Sequence, residues 1–440
     1  MLNQTITPQA VKNIVKGVSV TKQSGKIVSV KGALIEARFI DVSLGELCYI
    51  VIPGKKKRYR CEVVHFEGAS TFLMPLDHHP PLKKGLEIIA SGSPLMMHES
   101  ADYLSRVVDF AGDPIDGKVS PKMTASKRRS LEAKSVHALK RRFIKQRMCT
   151  GVRVIDGLLS VGWGQRLGIF AGSGVGKSTL LAMIARNSSA DVNVIALVGE
   201  RGREVREFIE NHLDEEGMKR TIVVVSTAGE PAMARIRAVM MAVTISEYFR
   251  DLGKNVTLLL DSLTRLALAQ REVGILMGEP PTSRSYTPSV FSTLASIIER
   301  GGNGQGGSIT AFYTVLVEGD DFDEPISDAV RGMLDGHIMM SRKLAERGHF
   351  PSIDVPSSLS RLMPDLLDHT KMERANHIRK LLASYKDAEE LIQVGAYAAG
   401  SDPVVDEAIA KKEAISNFLV QRVEDKVSLE SVDSDLASLI

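Results

Sequence analysis

One segment of the chain carries the residue types that a phosphate-binding loop needs. An apolar stretch, 166–170, runs into a glycine-rich turn, and an amphipathic helical pattern follows. Glycines let backbone N–H groups turn inward around phosphate oxygens, and the N-terminus of the helix adds positive potential. We therefore predict that nucleotide phosphates bind at Ala171, Gly172, Ser173, Gly174, Val175, Gly176, Lys177, Ser178 and Thr179.

Two side chains of this loop have specific expected roles. Lys177 would bridge the outer phosphates, and the hydroxyl of Ser178 would ligate Mg²⁺. Ala171 stands where the strict motif has Gly, but it lies before the cradle and its side chain is small. The competing interpretation is a glycine-rich strand–helix turn that carries Lys-Ser by chance.

Two carboxylates follow apolar stretches and are candidates for the chemistry around the phosphates. Asp261 ends the stretch 256–260 and would orient the water shell of Mg²⁺. Glu200 follows the stretch 192–198, which would place it at the carboxyl edge of a sheet, where a base or orienter for the attacking water is needed. Alone, Asp261 could simply end a strand and Glu200 could be a solvated charge in a capping turn.

The elements that must position these residues alternate between strand and helix from about 151 to 368. Such alternation predicts a mostly parallel sheet with helices on both faces. Amphipathic helical stretches lie between most of the six buried-strand candidates, which are 166–171, 192–198, 221–227, 256–261, 308–317 and 337–342.

The rest of the chain divides by pattern. Short strand-like stretches between Gly and Pro from about 25 to 92 predict a small β-barrel, and the chain from about 372 is helical. The glycine-rich stretch 301–307 is expected to be a flexible loop. The predicted organisation is an N-terminal partner-binding segment, a β-barrel, a basic connector, the central nucleotide-binding domain and a C-terminal helical domain, at 1–22, 23–95, 96–150, 151–370 and 371–440 respectively.

Composition narrows the function classes. The chain has 440 residues, 44% of them hydrophobic and 25% charged, which is typical of a soluble globular protein. Its net charge of +3 and its 5% aromatic residues argue against a dedicated nucleic-acid binder. The three cysteines suit reduced thiols in a cytosolic protein. Neither a signal peptide nor an apolar run long enough to cross a bilayer is expected, so membrane association would require docking.

A family resemblance rests on the stretch from Pro351 to Arg361. It has Pro, a small residue, an aliphatic residue, Asp, three variable residues and Ser-x-Ser. Together with the phosphate loop, it resembles the signature of the catalytic subunits of the rotary ATP synthase family and its protein-export branch. The resemblance extends over about 20–440. It implies an α/β fold with an N-terminal barrel, a central RecA-like P-loop NTPase domain and a C-terminal helical domain.

Within that family, the chain is most similar to the flagellar type III export ATPases. The stretches 164–178, 307–321 and 341–346 carry this likeness. The resemblance implies Mg²⁺-dependent ATP hydrolysis by a homohexameric ring that energises flagellar protein export, through release and unfolding of export substrates. An injectisome export ATPase, a rotary ATP synthase β subunit, a Rho-like RNA translocase and a non-catalytic ring subunit remain alternatives.

The resemblance also implies roles for single residues. Glu200 corresponds to the carboxylate that polarises the attacking water, and Arg201 to its neighbour near the γ-phosphate. Asp261 corresponds to the Walker B acid, which holds Mg²⁺ through water, and Arg265 to a basic residue beside the phosphates.

Two further roles are implied at the family signature. Phe350 stands where the family has an aromatic residue that stacks on adenine, and Arg361 stands where it has an arginine finger donated to the next subunit's site. The implied partners are further copies of the chain, a stator-like regulator at the N-terminal segment, export chaperones and substrates, and a membrane export gate. The implied location is cytoplasmic, at the inner membrane, and no nucleic acid is expected.

Overall fold

The structure is a computed structural model that describes residues 23–38, 41–118, 127–213, 215–317, 321–322 and 324–440. The predicted partner-binding segment, 1–22, lies outside the described residues. The chain separates into two compact units, Met1–Met96 and Met97–Ile440. The finer boundaries near 150 and 370 stay a prediction.

The first unit contains a closed barrel of antiparallel strands, as predicted. Its interior is apolar and includes the buried thiols of Cys48 and Cys61, which are free and face each other across two paired strands. Burial raises the pKa of Cys48 to about 12, so this thiol stays protonated. The strands, in order around the barrel, are Ser24–Lys31, Leu34–Arg38, Ser70–Pro75, Tyr59–Glu67, Glu46–Val51 and Glu87–Pro94.

A largely parallel sheet forms the centre of the second unit, which confirms the predicted architecture. Two of its pairings are antiparallel: Leu359–Ser360 pairs with Gly336–Met339, and Gly302–Asn303 pairs with Ser308–Leu316. The main path across the sheet is Leu359–Ser360, Gly336–Met339, Arg166–Ala171, Ser308–Leu316, Asn255–Asp261, Val192–Val198, Thr221–Ser226 and Val107–Val108. Short strands outside this sheet are Met96–His98, Arg128–Ser130, Arg147–Met148 and Val161–Gly162.

The central strands are buried on both faces. Every residue of Val192–Val198 and of Thr221–Ser226 is buried, because helices cover the sheet. The long helix Ala232–Asp251 packs against both of these strands. The remaining helices up to the family signature are Arg153–Leu158, Lys177–Asn187, Gly202–Glu207, Glu215–Lys219, Leu263–Leu276, Pro288–Glu299, Pro325–Met333 and Arg342–Glu346, with a π-helical turn at Phe208–His212 and 3-10 turns at Ala101–Tyr103, Ala138–Lys140 and Ser283–Ser285.

The chain after the family signature is helical, as predicted. Asp402 accepts hydrogen bonds from the backbone N–H groups of Val404 and Val405, so it caps the helix that Pro403 opens. The C-terminal helices pack against the short helix Arg153–Leu158, which anchors them to the nucleotide-binding region. The helices are Met363–Leu366, His369–Gln393, Pro403–Leu419 and Leu429–Ser438.

Arginines of the basic connector hold the glycine-rich loop 301–307. Arg141 donates to the carbonyl oxygens of Glu299 and Gly301, and Arg142 donates to those of Gly304 and Gly306 at 2.9 and 3.1 Å. Asn303 donates back to the backbone of the connector. The connector therefore binds several carbonyl groups of this loop, and the expected flexibility of the loop stays a prediction.

Candidate active site

The phosphate loop lies between the strand Arg166–Ala171 and the helix Lys177–Asn187. Two of its glycines adopt left-handed backbone angles, with φ of +79° at Gly174 and +87° at Gly176. L-residues rarely adopt these angles, so glycine is required for the turn. Ser178 is exposed in the first turn of the helix. The strand–loop–helix context predicted from the sequence is therefore present.

Lys177 reaches the end of the strand Asn255–Asp261. Its Nζ lies 2.5 Å from Oδ1 of Asp261, and the same oxygen accepts a hydrogen bond of 2.8 Å from the Thr314 hydroxyl. The strand that ends at Asp261 is separated from the phosphate-loop strand only by the strand that carries Thr314. Asp261 is almost wholly buried, so its charge is held by these two donors. The peptide bond between Asp261 and Ser262 is cis.

Glu200 enters the same cluster from the next strand. Its Oε1 lies 3.7 Å from Nζ of Lys177, just beyond the left-handed turn at Gly199. Burial raises the pKa of Glu200 to about 7, with the nearby Asp261 charge adding to the rise and the Lys177 charge opposing it. A carboxyl group with this pKa can take up or release a proton near neutral pH.

Arg265 packs behind Glu200. A Cβ atom on Gly199 would lie 2.9 Å from Cβ of Arg265, so the turn before Glu200 is shaped by this side chain. Within the described residues, Arg265 Nε and Glu200 Oε1 are buried and have no hydrogen-bond partner. Burying unpartnered polar atoms is unfavourable. Both residues border the turn at Gly199, which fits a site whose remaining partners arrive with the substrate.

The ring of Phe350 lies beside Gly176 of the phosphate loop. A Cβ atom on Gly176 would be 3.4 Å from Cδ1 of its ring, and the side chain remains 42% exposed. Ser352, two residues later, donates a 2.6 Å hydrogen bond to the carbonyl oxygen of Val175. The bond between Phe350 and Pro351 is cis. An exposed aromatic ring beside a phosphate loop can stack on a nucleotide base.

Two predicted site residues lie apart from this cluster. The side chain of Arg201 is 84% exposed and pairs with Glu204 at 3.4 Å. The backbone of Arg361 donates to the carbonyl oxygen of Asp335, and the carboxylate of Asp335 binds Arg166, the first residue of the phosphate-loop strand. Since a six-residue strand spans roughly 20 Å, Arg361 lies at the opposite edge of the sheet from the phosphate loop.

Neither a metal cluster nor a membrane span occurs in the part of the chain that the structure describes. No group of three His, Cys, Asp or Glu side chains there could hold a metal ion, and no helix there is long and apolar enough to cross a membrane. Ser178 and Asp261 offer a hydroxyl and a carboxylate, the oxygen donors that Mg²⁺ takes together with water and substrate phosphates. The donor set fits a Mg²⁺ ion that is bound with a nucleotide.

Family models match most of the chain in three consecutive pieces. Residues 151–360 match the nucleotide-binding domain of the ATP synthase alpha/beta family, and residues 27–92 match its beta-barrel domain. The chain belongs to the ATP synthase alpha/beta family. Residues 367–438 match the C-terminal domain of the type III secretion ATPase EscN, which places this family member in the export branch. It is an ATP-hydrolysing enzyme of the P-loop class.

Curated relatives and solved structures agree with this assignment. The flagellum-specific ATP synthase of Bacillus subtilis is 48% identical over 419 residues, which cover 95% of each chain. The type 3 secretion system ATPase of Xanthomonas euvesicatoria is 44% identical, covering 96% of this chain and 95% of the relative. The assembled ATPase EscN of enteropathogenic E. coli superposes with a TM-score of 0.89 at 42% identity, covering 94% of this chain and 99% of EscN.

Thr314 is a site residue that the sequence analysis did not single out. It lies in the middle of an apolar strand, is fully buried and donates to Asp261. The signal was a polar residue within a largely apolar strand, but such a residue has many possible hydrogen-bond partners. Only the order of the strands shows that its partner is Asp261.

Proposed function

We propose that this chain forms a homohexameric, Mg²⁺-dependent ATPase that energises flagellar type III protein export. The observation that carries the proposal is the cluster of Lys177, Asp261 and Glu200 at the phosphate loop, in a chain whose flagellum-specific relatives match it over nearly its whole length. Export through an injectisome is the second candidate, since a type 3 secretion system ATPase is 44% identical.

The phosphate loop and Lys177 would bind the outer phosphates of ATP. In the structure, Lys177 is paired with Asp261. When ATP binds, Lys177 would turn to the phosphates and Asp261 would be released to orient water on Mg²⁺. Ser178 and, through water, Asp261 would hold this ion, which supplies charge neutralisation for the transferring phosphoryl group. Arg265 would add a second positive charge beside the phosphates.

Glu200 would orient and polarise the attacking water. Its pKa of about 7 leaves a large share of the carboxylate form available at neutral pH. Arg201, whose side chain is exposed, would approach the γ-phosphate only after a rearrangement of the turn before the helix Gly202–Glu207. Phe350 would stack on the adenine ring, because its ring lies beside Gly176 of the phosphate loop.

Arg361 would complete the active site of a neighbouring copy. Within its own chain it lies across the sheet from the phosphate loop, too far away to reach bound phosphates. A guanidinium group from the next subunit would neutralise charge that grows in the transition state. This arrangement makes hydrolysis depend on assembly, and EscN has been solved as an assembled ATPase.

The partners of the ring are also part of the proposal. EscN has been solved in complex with its central stalk EscO, and the superposition with this chain has a TM-score of 0.87. We infer that a comparable stalk docks on this ring, that residues 1–22 bind a stator-like regulator, and that chaperones, export substrates and a membrane export gate act with it. The ring would then work in the cytoplasm, at the inner membrane.

Activity measured against protein concentration tests the proposed assembly. Specific Mg²⁺-ATPase activity should rise with concentration in parallel with the hexamer fraction, measured by mass photometry. A monomer that is fully active would contradict the role of Arg361 in a neighbouring site.

Affinity capture from native cells would identify the biological system: flagellar export proteins support the flagellar assignment, whereas injectisome parts, rotary subunits or RNA would overturn it.

A further inference from the structure

Gln421 connects three parts of the nucleotide-binding unit from a buried position. Gln421 is 4% exposed and follows the end of the C-terminal helix Pro403–Leu419. Its Oε1 accepts a 2.7 Å hydrogen bond from the backbone of Arg153, and its Nε2 donates to the carbonyl oxygen of Gly151 at 2.9 Å. The oxygen and the nitrogen of the side-chain amide therefore both have hydrogen-bond partners within the protein.

The backbone of Gln421 reaches the proposed base site directly. Its N–H donates a 3.0 Å hydrogen bond to the carbonyl oxygen of Phe350. The preceding residue, Val420, is 40% exposed, and the Phe350 ring is 42% exposed. Two partly exposed apolar side chains therefore lie on backbone segments that this one hydrogen bond joins.

The same residue is tied to the far end of the phosphate-loop helix. Nε2 of Gln421 also donates to the carbonyl oxygen of Asp425 at 3.0 Å, and that oxygen accepts a 3.5 Å hydrogen bond from Asn187, the last residue of the helix. Arg153 in turn donates to the carbonyl oxygens of Asn417 and Phe418 at the end of the C-terminal helix. Gln421 thus lies where the segment that carries Phe350, the phosphate-loop helix and the C-terminal helices meet.

We propose that Gln421 is a positioning residue for the nucleotide base: it holds the Phe350 segment at the correct distance from the phosphate loop. This inference rests on the proposed function, because it takes Phe350 as the residue that stacks on adenine. Gln421 itself touches neither the phosphates nor the residues around Lys177. Its loss should therefore weaken binding of the base and leave the chemical step intact.

The test is steady-state kinetics of the full chain with Gln421→Met, which keeps the side-chain length and removes both amide interactions. We expect the KM for ATP to rise about tenfold with kcat within about a factor of two, as for the loss of buried hydrogen bonds that act on binding alone. The preference for ATP over UTP, measured as the ratio of kcat/KM values, should fall. An unchanged KM and an unchanged preference would overturn the inference.

A matched control separates positioning from general loosening. Asp433 anchors the C-terminal helix Leu429–Ser438 through Arg147 and Lys371 and makes no described bond to Phe350. Asp433→Asn should lower the melting temperature and leave the ratio of ATP to UTP use unchanged. If it lowers that ratio as much as Gln421→Met does, the positioning role is wrong.

A second variant covers the case in which Gln421→Met does not fold. Gln421→Glu retains the acceptor for the Arg153 backbone and loses the donor to Gly151, and it should show the same change in KM. If both variants fail to fold, Gln421 is a structural residue and the inference is overturned. If the wild-type chain hydrolyses no ATP, the proposed function fails, whereas a hydrolysing wild type with unaffected variants removes only this inference.

Discussion

The ammonium group of Lys177 and the carboxylate of Asp261 lie 2.5 Å apart in the nucleotide-free chain. In the proposed mechanism, each group would lose the other as its partner when a nucleotide and Mg²⁺ bind. The pair keeps two buried charges compensated until the substrate replaces both contacts.

Removal of the lysine should abolish turnover. In Lys177→Ala, the outer phosphates lose their main cation and Asp261 loses its ion pair, so we expect kcat/KM to fall by at least about a hundredfold. The matched control is Lys219→Ala, since Lys219 is exposed and pairs only with a surface glutamate among the described contacts. A phosphate-release assay on both variants checks this, and a Lys177→Ala enzyme with near-normal kcat/KM would contradict the assignment.

Glu200→Gln should separate binding from hydrolysis. The amide keeps the size of the side chain but cannot accept a proton, so ATP affinity should persist while kcat falls by roughly a hundredfold or more. In the wild type, kcat/KM should rise as the pH increases through about 7, because the carboxylate form is needed. The variant should lose this rise. Equilibrium binding of a fluorescent ATP analogue, with pH–rate profiles, provides the measurement.

The raised pKa of Glu200 also affects folding stability. The folded chain binds this proton more tightly than the unfolded chain, whose carboxyl groups titrate near 4.5. Glu200 therefore lowers the stability of the nucleotide-free protein progressively as the pH rises from about 4.5 to about 7. Glu200→Gln should raise the melting temperature at pH 8 relative to wild type and change it little at pH 4.5. Equal shifts at both pH values would argue against a buried, protonated Glu200.

Arg361→Ala should lose activity without losing affinity for ATP. We expect kcat to fall by about a thousandfold, as for other arginine fingers. A mixing experiment gives the sharper test, because Lys177→Ala subunits still carry Arg361 and Arg361→Ala subunits still carry an intact phosphate loop. Mixtures of the two inactive variants should regain part of the activity. If mixtures that have exchanged subunits stay inactive, Arg361 does not act in a neighbouring site.

Two glycines beside Glu200 form a matched pair for testing the turn. Gly199 has φ of +73° and a Cβ there would press on Arg265, whereas a Cβ on Gly202 meets nothing within 4 Å. Gly199→Ala should cost about 1–2 kcal/mol of stability from the left-handed conformation alone and also displace Glu200. Gly202→Ala should retain activity. Thermal unfolding and ATPase assays on both variants test this difference. Equal losses of stability and activity in the two variants would contradict the left-handed turn at Gly199.

The central strands of the sheet could be predicted from their apolar runs almost residue by residue. The runs 166–171 and 192–198 coincide with the observed strands because fully buried strands need no alternation of polar residues. The order of the strands in the barrel was not predicted: Ser70–Pro75 pairs with both Leu34–Arg38 and Tyr59–Glu67. Its place depends on closure of the barrel, which local sequence does not specify.

The site was predictable only where a motif fixes the backbone. Lys177 and Asp261 were found because a phosphate loop and a strand end are local features. The position of Arg361 depends on pairing of the antiparallel strand Leu359–Ser360, and the hydrogen bonds of Gln421 depend on the return of the C-terminal helices. Such long-range contacts leave no periodic signal in one sequence.

The glycine-rich loop 301–307 has a consequence for engineering this enzyme. Replacing loop glycines with alanine usually stabilises a protein, because it narrows the conformations open to the unfolded chain. Here a Cβ on Gly307 would lie 2.2 Å from the carbonyl oxygen of Lys254, and one on Gly302 would lie 2.6 Å from the Arg141 guanidinium. These glycines serve close packing of backbone and arginine, so a thermostable variant has to be sought elsewhere in the chain.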